Sequence, residues 1–291
     1  MTSGLQHPFG VAVGADSIWA TEYERGNLVR IDPRTSRVMK RLHVGAHASH
    51  VVAQGGFIWV TDDLGGVVIC VDGATGQVIR EIPLRLGIDL RPSAIAAADD
   101  SVWVTLSSGF ERGATAPISP GQVVRLTSTS NEALTTVPIR GVAVGVAVGG
   151  GAVWVASLLE PTTIYRIDPV TRQVVATIPT GHPISSALTY LAPDLWVANQ
   201  DGYLTQIDVR TNRVVGNFEV GSPEWPALVA DANAVWISAP LDNLVARFDP
   251  QTDVISTALR TGGRPQLFAL GASALWVANY VDGTLAKLPL P

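Results

Sequence analysis

The chain has 291 residues, of which 15% are charged and 47% hydrophobic, with 28 glycines, 19 prolines and a formal net charge of −5. A mildly acidic chain with no basic run and no basic–aromatic platform lacks the phosphate-neutralising charge on which nucleic-acid binding depends. The one cysteine, Cys70, excludes an internal disulfide and a cysteine-based zinc site, and its place in a strand predicts an inert thiol.

The opening segment MTSGLQHPFG has neither the basic start nor the apolar run of a signal peptide, so cytoplasmic residence is expected. From Gly10 to Gly45 runs a unit that the rest of the chain rewrites. Its anchor is the alternating segment Ser17-Ile18-Trp19-Ala20-Thr21, which returns around Trp59, Trp103, Trp154, Trp196, Trp236 and Trp276. The spacings are 40, 44, 51, 42, 40 and 40 residues, the period of a propeller blade. Within the first unit, period-two alternation broken by turn residues predicts four antiparallel strands: Gly10 to Val13 (A), Ser17 to Thr21 (B), Asn27 to Ile31 (C) and Val38 to Val44 (D). The C-to-D corner Ile31-Asp32-Pro33-Arg34-Thr35 recurs at Asp168, Asp208 and Asp249, and this is turn chemistry: proline presets φ while Asp and Thr oxygens bond nearby main chain. The expected fold is therefore all-β, a single seven-bladed propeller domain over residues 1–291.

Strand direction alternates, so the D-to-A and B-to-C connections share one face, the top. Both insertions fall there. The D-to-A loop Pro83 to Pro92 is lengthened, and Trp103 to Arg125 spans 22 residues where Trp19 to Arg30 spans 11. Insertions collect on the working face of repeat proteins, so function is expected on top, with the loop around Phe110 as a lid over the channel mouth. Gly141 to Leu159 carries no charge over 19 residues but superposes on strands A and B of blade 1, so it predicts strands rather than a membrane span. In blade 7 the expected strands are Gln266 to Leu270, Ala274 to Ala278 and Thr284 to Leu288, with strand D missing. A short N-terminal segment must supply it, or the blade has an open edge.

Repeats such as Val174-Val175-Ala176-Thr177-Ile178-Pro179-Thr180-Gly181 and Trp196-Val197-Ala198-Asn199, with Ile-Asp-Pro-x-Thr between strands, resemble the YVTN-type propeller repeat. Seven blades and this length also resemble the streptogramin lyases. That resemblance implies metal-assisted elimination by histidines near the start of strand A and glutamates at the end of strand B. Glu22, and less closely Asp62, match the glutamate position. The histidine position holds other residues, and the nearest imidazole is His50, one residue further on.

The ends of strands A and B ring the channel mouth, and there the blades differ most. Blades 1 and 2 carry Glu22, Tyr23, Glu24, Asp62, Asp63, His47 and His50; the opposite side carries Glu224, Trp225, Arg264, Gln266, Asn199 and Asn279. Two carboxylates and an imidazole can divide general acid and general base between them, because burial and like charge push their pKa values apart, or can hold a divalent cation such as magnesium. Glu22, His50 and Asp62 are thus the expected catalytic groups, with Tyr23, His47, Phe110, Trp225, Arg264 and Gln266 as substrate contacts. Two readings stand side by side. One is a small-molecule enzyme of lyase or isomerase type; the other is a propeller that binds a ligand, peptide or partner protein on this face without turnover; under either, a monomer with no membrane partner is expected.

Overall fold

The structure, a computed structural model, describes residues 1–84, 90–108, 120–127, 135–158, 162–221 and 227–290. Among them are seven antiparallel sheets in consecutive A-B-C-D order, six of four strands and the last of three. Blade 1 is built from Pro8–Gly14, Ser17–Glu22, Asn27–Ile31 and Val38–His43, within two residues of the sequence-based limits at each end. Strand A of each blade contacts strand A of the next, and Pro265–Gly271 of blade 7 contacts Pro8–Gly14, so the inner strands close a ring around a central channel.

All seven anchor tryptophans are buried. They pack against the following blade: Trp154, for instance, lies with Leu195, Val197 and Ile207, and Trp276 with Ile18 and Val29. In blades 1, 4, 6 and 7 the indole N–H is satisfied at the A-to-B turn, as from Trp19 to the Gly14 carbonyl at 3.1 Å, whereas that of Trp59 is buried without a partner. A strand C cation covers the ring in four blades, Arg30, Arg125, Arg166 and Lys287 lying 5.2–5.8 Å from the centroids. In blade 2 the cross-strand partner of Trp59 is Cys70, which is fully buried, and burial pushes its thiol up to about 11. The C-to-D corners are Asx turns. Asp32 Oδ1 accepts the N–H groups of Arg34 and Thr35 at 2.7 and 3.1 Å, and these bonds hold its carboxyl below the usual range; Asp72, Asp168 and Asp208 do the same.

The uncharged stretch after Gly141 forms Ala143–Gly149 and Ala152–Ser157, strands A and B of blade 4. No helix among the described residues is long and apolar enough to cross a membrane.

Blade 7 contributes Pro265–Gly271, Ala274–Asn279 and Thr284–Pro289, and the start of the chain supplies its outer edge. Thr2 and Leu285 exchange two backbone hydrogen bonds of 2.9 Å, and the Leu5 N–H reaches the Gly283 carbonyl at 3.0 Å. Leu5 thereby takes the role of Val44 in blade 1, whose N–H reaches Gly26 at 2.8 Å. One extra residue separates Thr2 from Leu5, and Gly4 absorbs it at φ +76, a backbone geometry open to glycine without strain. The closing segment is anchored by one apolar side chain, Leu5, which is buried in the core between blades 7 and 1. Leu5→Ala is expected to destabilise the protein by ~2–3 kcal/mol, the usual cost of truncating a buried leucine. Urea unfolding checks it; a change under ~0.5 kcal/mol would mean that the latch carries no load.

Candidate functional site at the channel mouth

In six blades strand A enters through an irregularity at its top, in blade 3 between Pro92 and Ala94. Register against strand B shifts between Pro8 and Val11, Ala48 and Val51, Ala143 and Gly145, Ile184 and Leu188, and Pro265 and Phe268. Such a bulge re-aims side chains. In blades 1, 2 and 7 it presents Phe9, Ser49, His50 and Gln266 to a cavity of about 610 Å³ on the top face, which Tyr23, Asp63, Leu64, Arg91, Pro92, Ser93, Ser107, Arg264 and Tyr280 complete. The volume suits a small organic ligand.

His50 stands where this cavity meets the central channel, lining both. Alignment through the strand pairings puts Gly10, Ala94, Gly145, Ala187, Ala227 and Leu267 at its position in the other blades. Small residues are required in blades 1 and 4: a Cβ on Gly10 would sit 2.5 Å from the Ser49 carbonyl oxygen, and one on Gly145 2.1 Å from that of Ser186. His50 is the one ring in this set. Its Nδ1 is buried without a hydrogen-bond partner, and desolvation pushes its pKa down to about 4, so the imidazole is neutral at pH 7. Phe9 packs edge-on against it with centroids 5.3 Å apart, and on its other side lies 5.5 Å from Tyr23.

The Tyr23 hydroxyl donates to Asp63 Oδ2 at 2.8 Å. Burial, then the bond to Asp63, pushes the phenol above its usual range; burial likewise raises the Asp63 carboxyl, against the opposing pull of Tyr23 and His47. His47 stacks obliquely on Tyr23 at 4.7 Å, with Nδ1 3.7 Å from Asp63 Oδ1, outside hydrogen-bond reach. The imidazole supports the Tyr23–Asp63 pair from behind and is not among the cavity-lining residues.

Glu22 and Asp62 lie elsewhere. Both are 2% exposed and neither lines the cavity. Asp62 accepts the N–H groups of Ala46 (2.7 Å), His47 (3.1 Å) and Gly65 (2.7 Å), and Glu22 accepts from Gln6 N–H (3.1 Å), Asn27 Nδ2 (2.9 Å) and Arg41 Nε (3.4 Å). Each carboxylate ties the loop that leads into its own blade to the end of strand B. Other blades use neutral groups there: Ser157 donates to the Arg140 carbonyl at 2.8 Å, and Asn279 accepts from Thr261 at 2.7 Å. With these oxygens occupied by N–H donors, and with no group of three His, Cys, Asp or Glu converging among the described residues, the arrangement does not fit a divalent cation.

Of the expected contacts, Tyr23, His50, Arg264 and Gln266 come together in the cavity; Phe110 with its loop, and Trp225, lie outside the described residues. Asp63, Phe9, Arg91 and Tyr280 are the charged and aromatic lining groups that the sequence did not single out for roles. The repeat register held a signal for two of the cavity's charged groups. Arg91 and Arg264 both precede the proline that opens strand A, at the position of His7 and His47.

No family model and no curated protein match the chain. Among solved structures it is similar to hydrazine synthase of Kuenenia stuttgartiensis, with TM-score 0.80 and 14% identity over 100% of this chain and 97% of that one. It is also similar to BamB from Moraxella catarrhalis, with TM-score 0.64 and 15% identity over 97% of this chain and 83% of that one. At these identities the likeness is one of fold, and the fold it supports is the seven-bladed β-propeller.

Proposed function

We propose that the protein acts on a small molecule at the channel mouth by proton transfer, in a reaction of lyase or isomerase type. The observation that carries this is the meeting, in one cavity, of a neutral imidazole with an unpartnered nitrogen and a phenol–carboxylate pair. His50 is the general base: uncharged at neutral pH, it takes a proton from the substrate without first losing one. Tyr23 is the general acid, delivering a proton to the leaving group or to the neighbouring carbon, with Asp63 behind it to share and restore that proton. The partial resemblance to streptogramin lyases in blade number, length and the carboxylate at the end of strand B supports elimination chemistry, with the acidic role moved one residue along from Asp62 to Asp63. A divalent metal remains part of that resemblance only; each proton-transfer step belongs to the chain's own groups.

A second reading, ligand binding without turnover, is favoured by one observation. Glu22 and Asp62, the carboxylates at the lyase position, are fully engaged in holding loops.

Native mass spectrometry of the purified protein identifies co-purifying small molecules, and turnover of those and of related compounds is then followed. His50→Gln is expected to lower kcat by at least ~100-fold with the fold intact, as loss of a general base does. In the wild type the acid limb of kcat/KM should lie near pH 4, set by the free imidazole. A wild-type rate in His50→Gln overturns the catalytic assignment; binding without any turnover selects the second reading.

A further inference from the structure

At the entry to strand A on the top face five blades carry a cationic or imidazole residue: His7, His47 and Arg264 immediately before the strand, Arg91 as its first residue and His182 two residues before it. The three histidines each face a carboxylate from their own blade, Glu24 at 2.8 Å, Asp63 at 3.7 Å and Asp201 at 2.8 Å. The two arginines differ. Among the described residues neither guanidinium has a hydrogen bond or ion pair, whereas Arg30, Arg41, Arg125, Arg166 and Arg247 are each tied to protein groups. Both uncommitted guanidinium groups line the mouth cavity, one from blade 3 and one from blade 7, with blades 1 and 2 between them.

The cavity's charge is opposite to that of the chain. Among the described residues two arginines stand against one lining carboxylate, Asp63, which already accepts the Tyr23 hydroxyl, in a chain of net charge −5. Glu24 does not line the cavity, and is held by His7 and by the Tyr280 hydroxyl at 3.1 Å. Arg264 is also set in a left-handed backbone, φ +53, an unfavourable conformation for a side-chain-bearing residue ahead of proline, and its N–H is fixed by Asn243 Oδ1 at 2.8 Å. Gln266, two residues on, adds an amide donor to the same wall. The rings of Phe9, Tyr23 and Tyr280 line the same cavity.

We infer that the ligand of this cavity is an organic carboxylate with a flat, aromatic or conjugated body, its carboxylate held by Arg264 and Gln266, its body against Phe9, Tyr23 and Tyr280, and Arg91 supplying the second positive charge. A guanidinium gives a carboxylate two parallel donors, and a second uncommitted cation raises the anion's local concentration. This deepens the proposed function by naming its substrate class and uses the same cavity. It is read by binding alone, so absent turnover leaves it standing.

The test is calorimetric titration of the full chain with trans-cinnamate and 4-hydroxyphenylacetate, each beside its neutral primary amide, at low and high salt. At least one acid is expected to bind at least ~10-fold more tightly than its amide, with affinity falling as salt rises. Arg264→Gln and Arg91→Gln should each weaken that acid by ~10-fold, while Arg213→Gln, on an outer strand, leaves it unchanged. Equal affinity for acid and amide, wild-type affinity in both cavity variants, or no binding of either acid at ~10 mM overturns the inference.

Discussion

Trp154→Ala is expected to destabilise the protein by ~3–5 kcal/mol, the range for deleting a large aromatic side chain from a packed core. The indole is fully buried between blades 4 and 5 among Ile164, Leu195, Val197 and Ile207, donates to the Gly149 carbonyl at 3.0 Å, and lies under Arg166 at 5.2 Å. Collapse into the vacated space is limited because the turn beside it is already close-packed: a Cβ on Gly149 would meet the Tyr190 ring at 2.3 Å. Urea unfolding followed by circular dichroism measures the loss. A cost below ~1 kcal/mol would mean that the blades are not held by their tryptophans.

The second large effect concerns Asp62→Ala. Removing that carboxylate strands three backbone N–H donors, of Ala46, His47 and Gly65, and ~3–5 kcal/mol is the expected cost at ~1–3 kcal/mol for each unsatisfied donor, partly relieved by relaxation. The cradle is tight, since a Cβ on Gly45 would fall 2.1 Å from Asp62 Oδ2. Because His47 and Asp63 flank this cradle, the ligand site should loosen together with the fold. Asp62→Asn discriminates between structural and catalytic roles: it keeps one acceptor and should recover part of the stability, whereas a catalytic carboxylate would give a stable and inactive protein. Thermal unfolding of both variants beside binding at the mouth separates the two.

The blade architecture was legible because the repeat states it seven times. Trp19 and its six counterparts set the period, alternation set the strands, and Asp32 and its counterparts marked the corners, each a local pattern with one physical cause. The site was legible only in part, for a physical reason. A carboxylate at the end of strand B reads the same whether it faces a ligand or its own backbone, and only the fold shows that Glu22 and Asp62 turn inward to the loop N–H groups while Asp63 turns to the cavity. His50 stood out by its departure from the Gly and Ala of other blades. Arg264 was marked by its place at the mouth and Arg91 only by the repeat register, and that both guanidinium groups are uncommitted is a tertiary property no sequence pattern states.

The pairing of Thr2 with Leu285 also bears on how the molecule is made. A ribosome releases blade 1 before blade 7, so the first inner strand waits with one flank bare until Pro265–Gly271 has emerged, and the segment that will complete blade 7 is tethered to that waiting strand. Every blade boundary but one can form between sequence neighbours as they emerge. The last must join blade 7 to blade 1, at the highest loop-closure cost in the fold, and should therefore be the slow step in vectorial folding.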